Sequence, residues 1–399
     1  MEDRNILTDL PISVRVAAIA AAGICAVSSV SGCSRSTVAE VNGSNAVAVE
    51  NPSTSQLISP PGFLETPLWS VPFISTPQVV DDGFAGILVG TEASDSATVQ
   101  VLGDTGAPRF GVDVPANRAQ FAVASVRGRE LLITQDVGDT DSDNIDYLTA
   151  RDTRTGEIVW GPVRTQGCLT GTGLLIDADC DAAESNSAEG AVSAVDGHTI
   201  DLSGAVTEFG GHAVVADGEN ARIVTVDTGN TAWSTETLTP PPAALAGSAR
   251  FIGAAGNSVI VAWTIPTRSE PIQAVYRLSD AEVRWVSGAR TPMTVVADAS
   301  SGSTLITTDD LTDDGIAVLF VQYGTKGFTA DQFPGAYRFT LVGGVVYGGS
   351  KSAMTAIDAA TGRVTGTSPG DAPTVVTSNG VALAADTGGY TAFKVVPHF

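Results

Sequence analysis

A chain of 399 residues with a formal charge of −23 repels a phosphate backbone, and no basic stripe offsets that charge, so nucleic-acid binding is excluded. Gly and Pro supply 43 and 20 residues while Lys is confined to Lys326, Lys351 and Lys394. That balance disfavours a helical fold and suits many short strands joined by tight turns.

In chain order, Arg15 precedes an apolar stretch from Val16 to Val30, too short to span a bilayer comfortably and of the length of a signal-peptide core. It ends at Val30-Ser31-Gly32-Cys33, which resembles the bacterial lipobox. The resemblance implies that residues 1–32 are a signal peptide and that Cys33 becomes the first mature residue, carrying the lipid that anchors the protein outside the cytoplasm on the bacterial cell membrane. An ordinary secretory signal, giving a secreted protein, is the alternative. Glu2, Asp3 and Asp9 against Arg4 and Arg15 depart from the positive leader of that class, which a later translation start would restore. Residues 33–66 are Ser, Asn, Pro and Val without amphipathic period and end in Ser59-Pro60-Pro61, so they read as a flexible polar tether.

Residues 67–399 carry a repeat. Its clearest copy is Gly344-Val345-Val346-Tyr347-Gly348-Gly349-Ser350 followed by Ala353-Met354-Thr355-Ala356-Ile357-Asp358-Ala359-Ala360-Thr361-Gly362-Arg363-Val364. The Asp side chain can cap the turn and Gly can take φ > 0, so the next strand folds back antiparallel. Weaker copies of the turn stand at Asp104-Thr105-Gly106, Asp152-Thr153-Arg154-Thr155-Gly156, Asp196-Gly197, Asp227-Thr228-Gly229 and Ser279-Asp280. Trp160, Trp233 and Trp285 each follow one of these turns, and an outer-strand Trp can pack over the neighbouring unit.

The unit resembles the PQQ-like (quinoprotein-type) β-propeller repeat, in which this turn joins the third and fourth strands of a blade. The resemblance implies an all-β propeller of four-stranded antiparallel blades over residues 67–399. Eight blades are expected, or seven if the region near Val296 or the short one near Asp196 is not a blade. The last copy, Val381 to Phe393, lacks a fourth strand, while Leu68-Trp69-Ser70-Val71-Pro72 stands ahead of any blade. An N-terminal strand set beside the final hairpin would close the ring and remove its sheet edges. A pair of β-sandwiches is the structural alternative.

In the folded part only Cys168 and Cys180 remain, and in an exported protein such a pair is expected to form a disulfide contributing about 3 kcal/mol. A metal site built on them lacks partners, since His198, His212 and His398 show no ligand spacing. Acidic runs at Asp136 to Asp146, Asp177 to Asp181 and Asp309 to Asp314 fall between second and third strands, so they are expected on one face of a propeller. Within the first run, Asp139, Asp141, Asp143 and Asp146 resemble a calcium loop. Tyr147 and Ala150 occupy its ninth and twelfth positions, so the bidentate acid is missing, and a solvated acidic hairpin is the alternative. Calcium is the one cofactor these residues suggest.

Quinoprotein dehydrogenases carry adjacent cysteines beside their cofactor. This chain has none adjacent and no matching calcium triad, so quinone binding and dehydrogenase activity are not carried over. Nor does anything resemble a Gly-x-Ser-x-Gly in a strand-to-helix turn, with a base held by a third group. The expectation is therefore a lipid-anchored binding or scaffold protein of the cell envelope rather than an enzyme. Its partner would be an envelope protein or polymer, and it would meet the membrane through the lipid alone. Two alternatives stand beside it: a propeller enzyme or sugar- or quinone-binding protein with its site in the central funnel, and a calcium-stabilised adhesion module.

Overall fold

The computed structural model describes residues 38–39, 58–89, 96–137, 145–170, 173–177, 188–286, 292–298, 304–309, 316–321, 325–328, 338–349 and 353–396. Apart from two short 3-10 turns, the regular structure among them is strand. The strands form antiparallel sheets in which sequence neighbours are also spatial neighbours. First strands of adjoining sheets pack on one another: Gln78–Val80 on Val375–Val376, Arg250–Ala255 on Pro292–Ala297, and Pro292–Ala297 on Arg338–Val342. The first strands thus surround a common axis and the later ones step outward, which is a β-propeller of four-stranded antiparallel blades.

Among the described residues five sheets have four strands, one has five and one has seven, rather than eight separate sheets of four. The seven-stranded sheet arises from a single long strand, Thr199–Phe209. Its first half pairs with Ala188–Val192 and its second half with His212–Asp217, so that Ala205 faces both Ala188 and Val215. Gly204 bends the strand at φ 88°, a conformation that disfavours a Cβ, and a bulge follows between Ala205 and Thr207. One strand therefore ends one sheet and begins the next without a loop.

Two segments of the expected tether also belong to the folded part. Val38–Ala39 lies antiparallel to Pro108–Pro115 as a fifth strand. Residues 58–64 lie across the end of the last two sheets: Ser368 Oγ donates to Ser59 O at 2.7 Å, Val396 N to Gly62 O at 2.9 Å, and Phe63 bridges Val395. The approach is so close that a Cβ on Gly366 would stand 2.4 Å from Gly62 N, and one on Gly370 2.4 Å from Ser59 O. The two prolines stiffen the segment and lower its ordering cost, which the composition of the tether concealed. Beyond it, Trp69–Val71 is antiparallel to Gly389–Lys394, with Trp69 opposite Ala392 and Val71 opposite Tyr390.

Five of the described turns between third and fourth strands share one backbone pattern, while in the first sheet Gly106 N donates to Gly103 O at 3.0 Å. Gly156 N donates to Asp152 O, Gly197 N to Ser193 O, Gly229 N to Thr225 O, Ala281 N to Arg277 O and Gly362 N to Asp358 O, at 2.8 to 3.0 Å. Asp152 and Asp358 add the side-chain cap: their Oδ1 atoms accept Thr155 N at 3.0 Å and Thr361 N at 2.6 Å. Ser193, Thr225 and Arg277 hold the same place without it, so the recurring element is the looped backbone and its positive φ rather than the aspartate.

Several of these turns receive a side chain from the outer strand of the preceding sheet. Trp69 Nε1 donates to Asp104 O at 3.1 Å, Trp160 Nε1 to Ala194 O at 2.9 Å, and Trp233 Nε1 to Leu278 O at 2.7 Å. A Cβ at Gly106 would lie 2.8 Å from the Trp69 ring, at Gly156 2.9 Å from Phe110, and at Gly197 2.5 Å from Trp160. These glycines answer two demands, a left-handed backbone and room for a ring. Between sheets lie aliphatic layers, such as the Val259, Val261, Trp263, Ala274 and Tyr276 layer against Val214, Ile223 and Trp233.

Candidate ligand cavity

On the face that carries the first-to-second and third-to-fourth strand turns, a cavity of about 520 Å³ opens beside the axis, within the size range of small-molecule sites. Val79, Val342 and Val376 line it from three first strands, and Val345, Phe63 and Val395 extend the apolar wall. Its polar lining includes Asp81, Glu130, Tyr347, Asp358, Thr365 and Ser378.

Asp81 sits in the turn between Gln78–Val80 and Gly83–Val89 at φ 47°, a region that Asp tolerates better than most residues when its side chain is anchored. Here it is: Thr153 Oγ1 donates to Asp81 Oδ2 at 2.6 Å and Arg154 Nη2 to Oδ1 at 2.8 Å. The Asp81 N–H in turn donates to Glu130 Oε2, and Thr153 N donates to Glu130 O at 3.2 Å. One turn thus ties the first blade to the second. Burial pushes the Glu130 carboxyl above its ordinary value; the Asp81 N–H opposes that and the Asp81 carboxylate adds to it. Close by, hydrogen bonding to Arg109 holds Asp82 below its ordinary value.

Asp152, behind Thr153, is a charged cap. Burial pushes its carboxyl up, but the Arg129 guanidinium at 2.6 Å and the N–H groups of Thr155 and Arg154 outweigh this and bring it from 3.8 to about 2. With the folded value below the unfolded one, the stabilisation is fully present above pH 3.8 and is lost as pH falls through about 2. Arg129 is half exposed, so solvent screens the pair, and Asp152→Asn is expected to cost only about 1 kcal/mol at pH 7. Chemical unfolding as a function of pH checks this: the gap to the parent protein should shrink between pH 4 and about 2, and a constant gap would assign the effect to packing.

On the opposite side, two blades away, Tyr347 is 1% exposed and packs with Val342, Met354 and Val376. Burial pushes its phenol up from the ordinary value. Asp358 Oδ1 is occupied by the Thr361 N–H and hydroxyl, which leaves its other oxygen for the cavity it lines.

None of these residues stood out in the sequence as a site. Of the residues that did, Cys33, Asp139, Asp141, Asp143, Cys180 and His398 lie outside the described residues. Asp146 is the second residue of strand Ile145–Asp152, 1% exposed, with Oδ2 3.9 Å from Cys168 Sγ. Cys168 begins the short strand Cys168–Leu169 and is buried. His198 pairs with Asp196 at 2.6 Å on the surface, and His212 Nδ1 lies 3.1 Å from Gly210 O; neither borders the cavity. Among the described residues no group of three or more His, Cys, Asp and Glu side chains is placed to hold a metal ion, and no helix is long and apolar enough to cross a membrane.

No family model and no curated protein matches this chain. Among solved structures it is similar to the β-propeller domain of the Trilobed protease from Pyrococcus furiosus, at 10% identity and TM-score 0.37 over 81% of this chain and 91% of that one. It is also similar to the Pyrococcus horikoshii acylaminoacyl peptidase, at 10% identity and TM-score 0.37 over 82% of this chain and 52% of that one. Kuenenia stuttgartiensis hydrazine synthase gives 11% identity and TM-score 0.35 over 86% and 98%. At these scores the propeller assignment rests on the sheets of this chain itself.

Proposed function

We propose that this chain is a lipid-anchored extracytoplasmic propeller that binds a small ligand in the cavity of its turn face. The observation that carries the reading is the cavity, where carboxylates and a buried phenol from separate blades face one space between aliphatic walls. A deep recess with charged groups favours a site in the funnel over a flat scaffold surface. Binding, rather than catalysis, fits best, because Asp81 is engaged by both Thr153 and Arg154 and no histidine among the described residues borders the recess.

The finer architecture belongs to this proposal. Counting Thr199–Phe209 twice gives eight PQQ-like blades, with Trp69–Val71 as the fourth strand of the last and the ring closed through it. A Cys168–Cys180 disulfide would tie the short strand Cys168–Leu169 to the segment that follows Leu175–Asp177 in the chain.

Ser378 lines the cavity from an exposed turn, so Ser378→Trp narrows the opening without touching the core. Ligand-observed NMR of amines, sugars, quinones and carboxylic acids against both proteins tests the site. At least one class should show saturable binding to the parent protein and lose it in Ser378→Trp; binding by no class would return the envelope-scaffold reading. For the anchor, Cys33→Ser should move the protein from the membrane fraction to the soluble extracytoplasmic fraction. Unchanged membrane association would discard lipidation at that residue.

A further inference from the structure

The cavity has two acidic ends. Asp81 and Glu130 come from the first and second blades, whereas Asp358 comes from the blade that includes Val345–Gly349 and Met354–Asp358. Contacts around the ring give their separation: Thr153 of the second blade binds Asp81 of the first, the first strand Gln78–Val80 packs on Val375–Val376, and Val376 packs on Val342 and Tyr347. Two blades therefore lie between Glu130 and Asp358, and between the two ends they contribute an apolar wall of Val79, Val376, Val395 and the adjoining Phe63, beside Thr377 and Ser378.

Charge follows the same division. At the first end Arg154 neutralises one carboxylate, so Asp81 and Glu130 together keep about one negative charge. Asp358 supplies another at the far end. Each end has a lone-pair site to spare. Glu130 Oε2 accepts the Asp81 N–H while its Oε1 has no donor among the described residues, and the same is true of Asp358 Oδ2 beside its occupied Oδ1. Tyr347 is the independent sign of a missing partner. It is 1% exposed and lines the cavity, yet its hydroxyl meets no donor or acceptor among the described residues. The hydroxyl is not one of the sealed side-chain atoms that lack a partner; it is reached from the cavity, where a ligand or water completes it.

An occupant that answers all of this carries a hydrogen-bond-donating positive charge at each end and methylenes between. We propose that the cavity binds a linear aliphatic diamine or longer polyamine, one ammonium at Glu130, the other at Asp358 with the Tyr347 oxygen as an additional acceptor, and the carbon chain along the valine wall. Ammonium groups only donate and the three protein groups have acceptor capacity to offer, so the pairing leaves no like-with-like contact. A sugar would leave hydroxyls unpaired against the valine wall, and an anion would face the two acidic ends.

This inference rests on the cavity being the ligand site, and the experiment separates the two. Calorimetric titration of the full mature chain with α,ω-diaminoalkanes from propane to octane, at about 0.15 M salt to screen the acidic surface, is compared with monoamines and diols of equal length. One diamine length should bind with unit stoichiometry, about tenfold or more tighter than its monoamine, with no binding of the diol. Glu130→Gln retains an acceptor for the Asp81 N–H and Asp358→Asn retains the turn cap; each should weaken the diamine about tenfold and leave the monoamine less affected. Tyr347→Phe should weaken it about threefold, and Ser378→Trp should abolish it. Circular dichroism establishes that each variant is folded. A diamine no tighter than its monoamine, or affinity unchanged in both carboxylate variants, would overturn the proposal as surface attraction. If amines fail while another class saturates the cavity, the ligand class is wrong and the site stands; if none binds, both readings fall.

Discussion

Trp233→Ala is expected to cost about 3–5 kcal/mol, the range for truncating a buried aromatic side chain. Trp233 is 8% exposed and belongs to the layer between two blades, with Ile223, Val261, Trp263 and Tyr276; the Tyr276 ring centroid is 6.4 Å away. Its indole N–H also donates to Leu278 O at 2.7 Å. The alanine variant therefore loses ring contacts on two blades and strands a buried carbonyl. Trp233→Phe keeps most of the ring and loses the donor, so about 1–2 kcal/mol is expected. Chemical unfolding of both variants checks the division. If the two cost the same, the hydrogen bond and not the packing would hold the blades together.

Gly197→Ala is the second large effect, at about 2–4 kcal/mol, combining a left-handed backbone cost with overpacking. Gly197 has φ 79°, and its new methyl would lie 2.5 Å from Trp160 Cζ3 and 2.7 Å from Cε3. The ring cannot simply retreat, because Trp160 Nε1 is held by Ala194 O. Gly218→Ala isolates the backbone part: its φ is 59° and nothing lies within 4 Å of the added methyl, so about 1 kcal/mol is expected there. The double variant Trp160→Ala/Gly197→Ala should show the two changes to be less than additive, since removing the ring removes the clash. Full additivity in that cycle would mean that ring and turn are not coupled.

These two residues also show what made the fold legible. The Asp-x-x-Thr-Gly turns stood out because positive φ, and in several copies a close ring, select glycine, although Ala281 holds the same turn at φ 59°. The aspartate was a less faithful guide. Ser193 and Thr225 close the same hydrogen-bonded turn, and Ser193 Oγ spends itself on Asp227 of the next turn at 3.0 Å. Blade counting failed at Thr199–Phe209 for a related reason: with no loop between one sheet and the next, the only local sign was the Ser203-Gly204 bend. The Ser59-Pro60-Pro61 segment misled by composition, since its order comes from a groove whose floor is Gly366 and Gly370, three hundred residues away.

The amino-acid sequence by itself determined the all-β class and the strand-turn repeat, because each depends on neighbours within one or two turns of chain, and it marked the outer-strand tryptophans by their place just after a turn. The cavity was decided by the tertiary structure alone. Asp81, Glu130, Tyr347 and Asp358 come from blades distributed around the ring, and each looks ordinary beside its own sequence neighbours. Only the circular arrangement of sheets brings the first and last blades together, and with them the charges, the phenol and the aliphatic wall of one site.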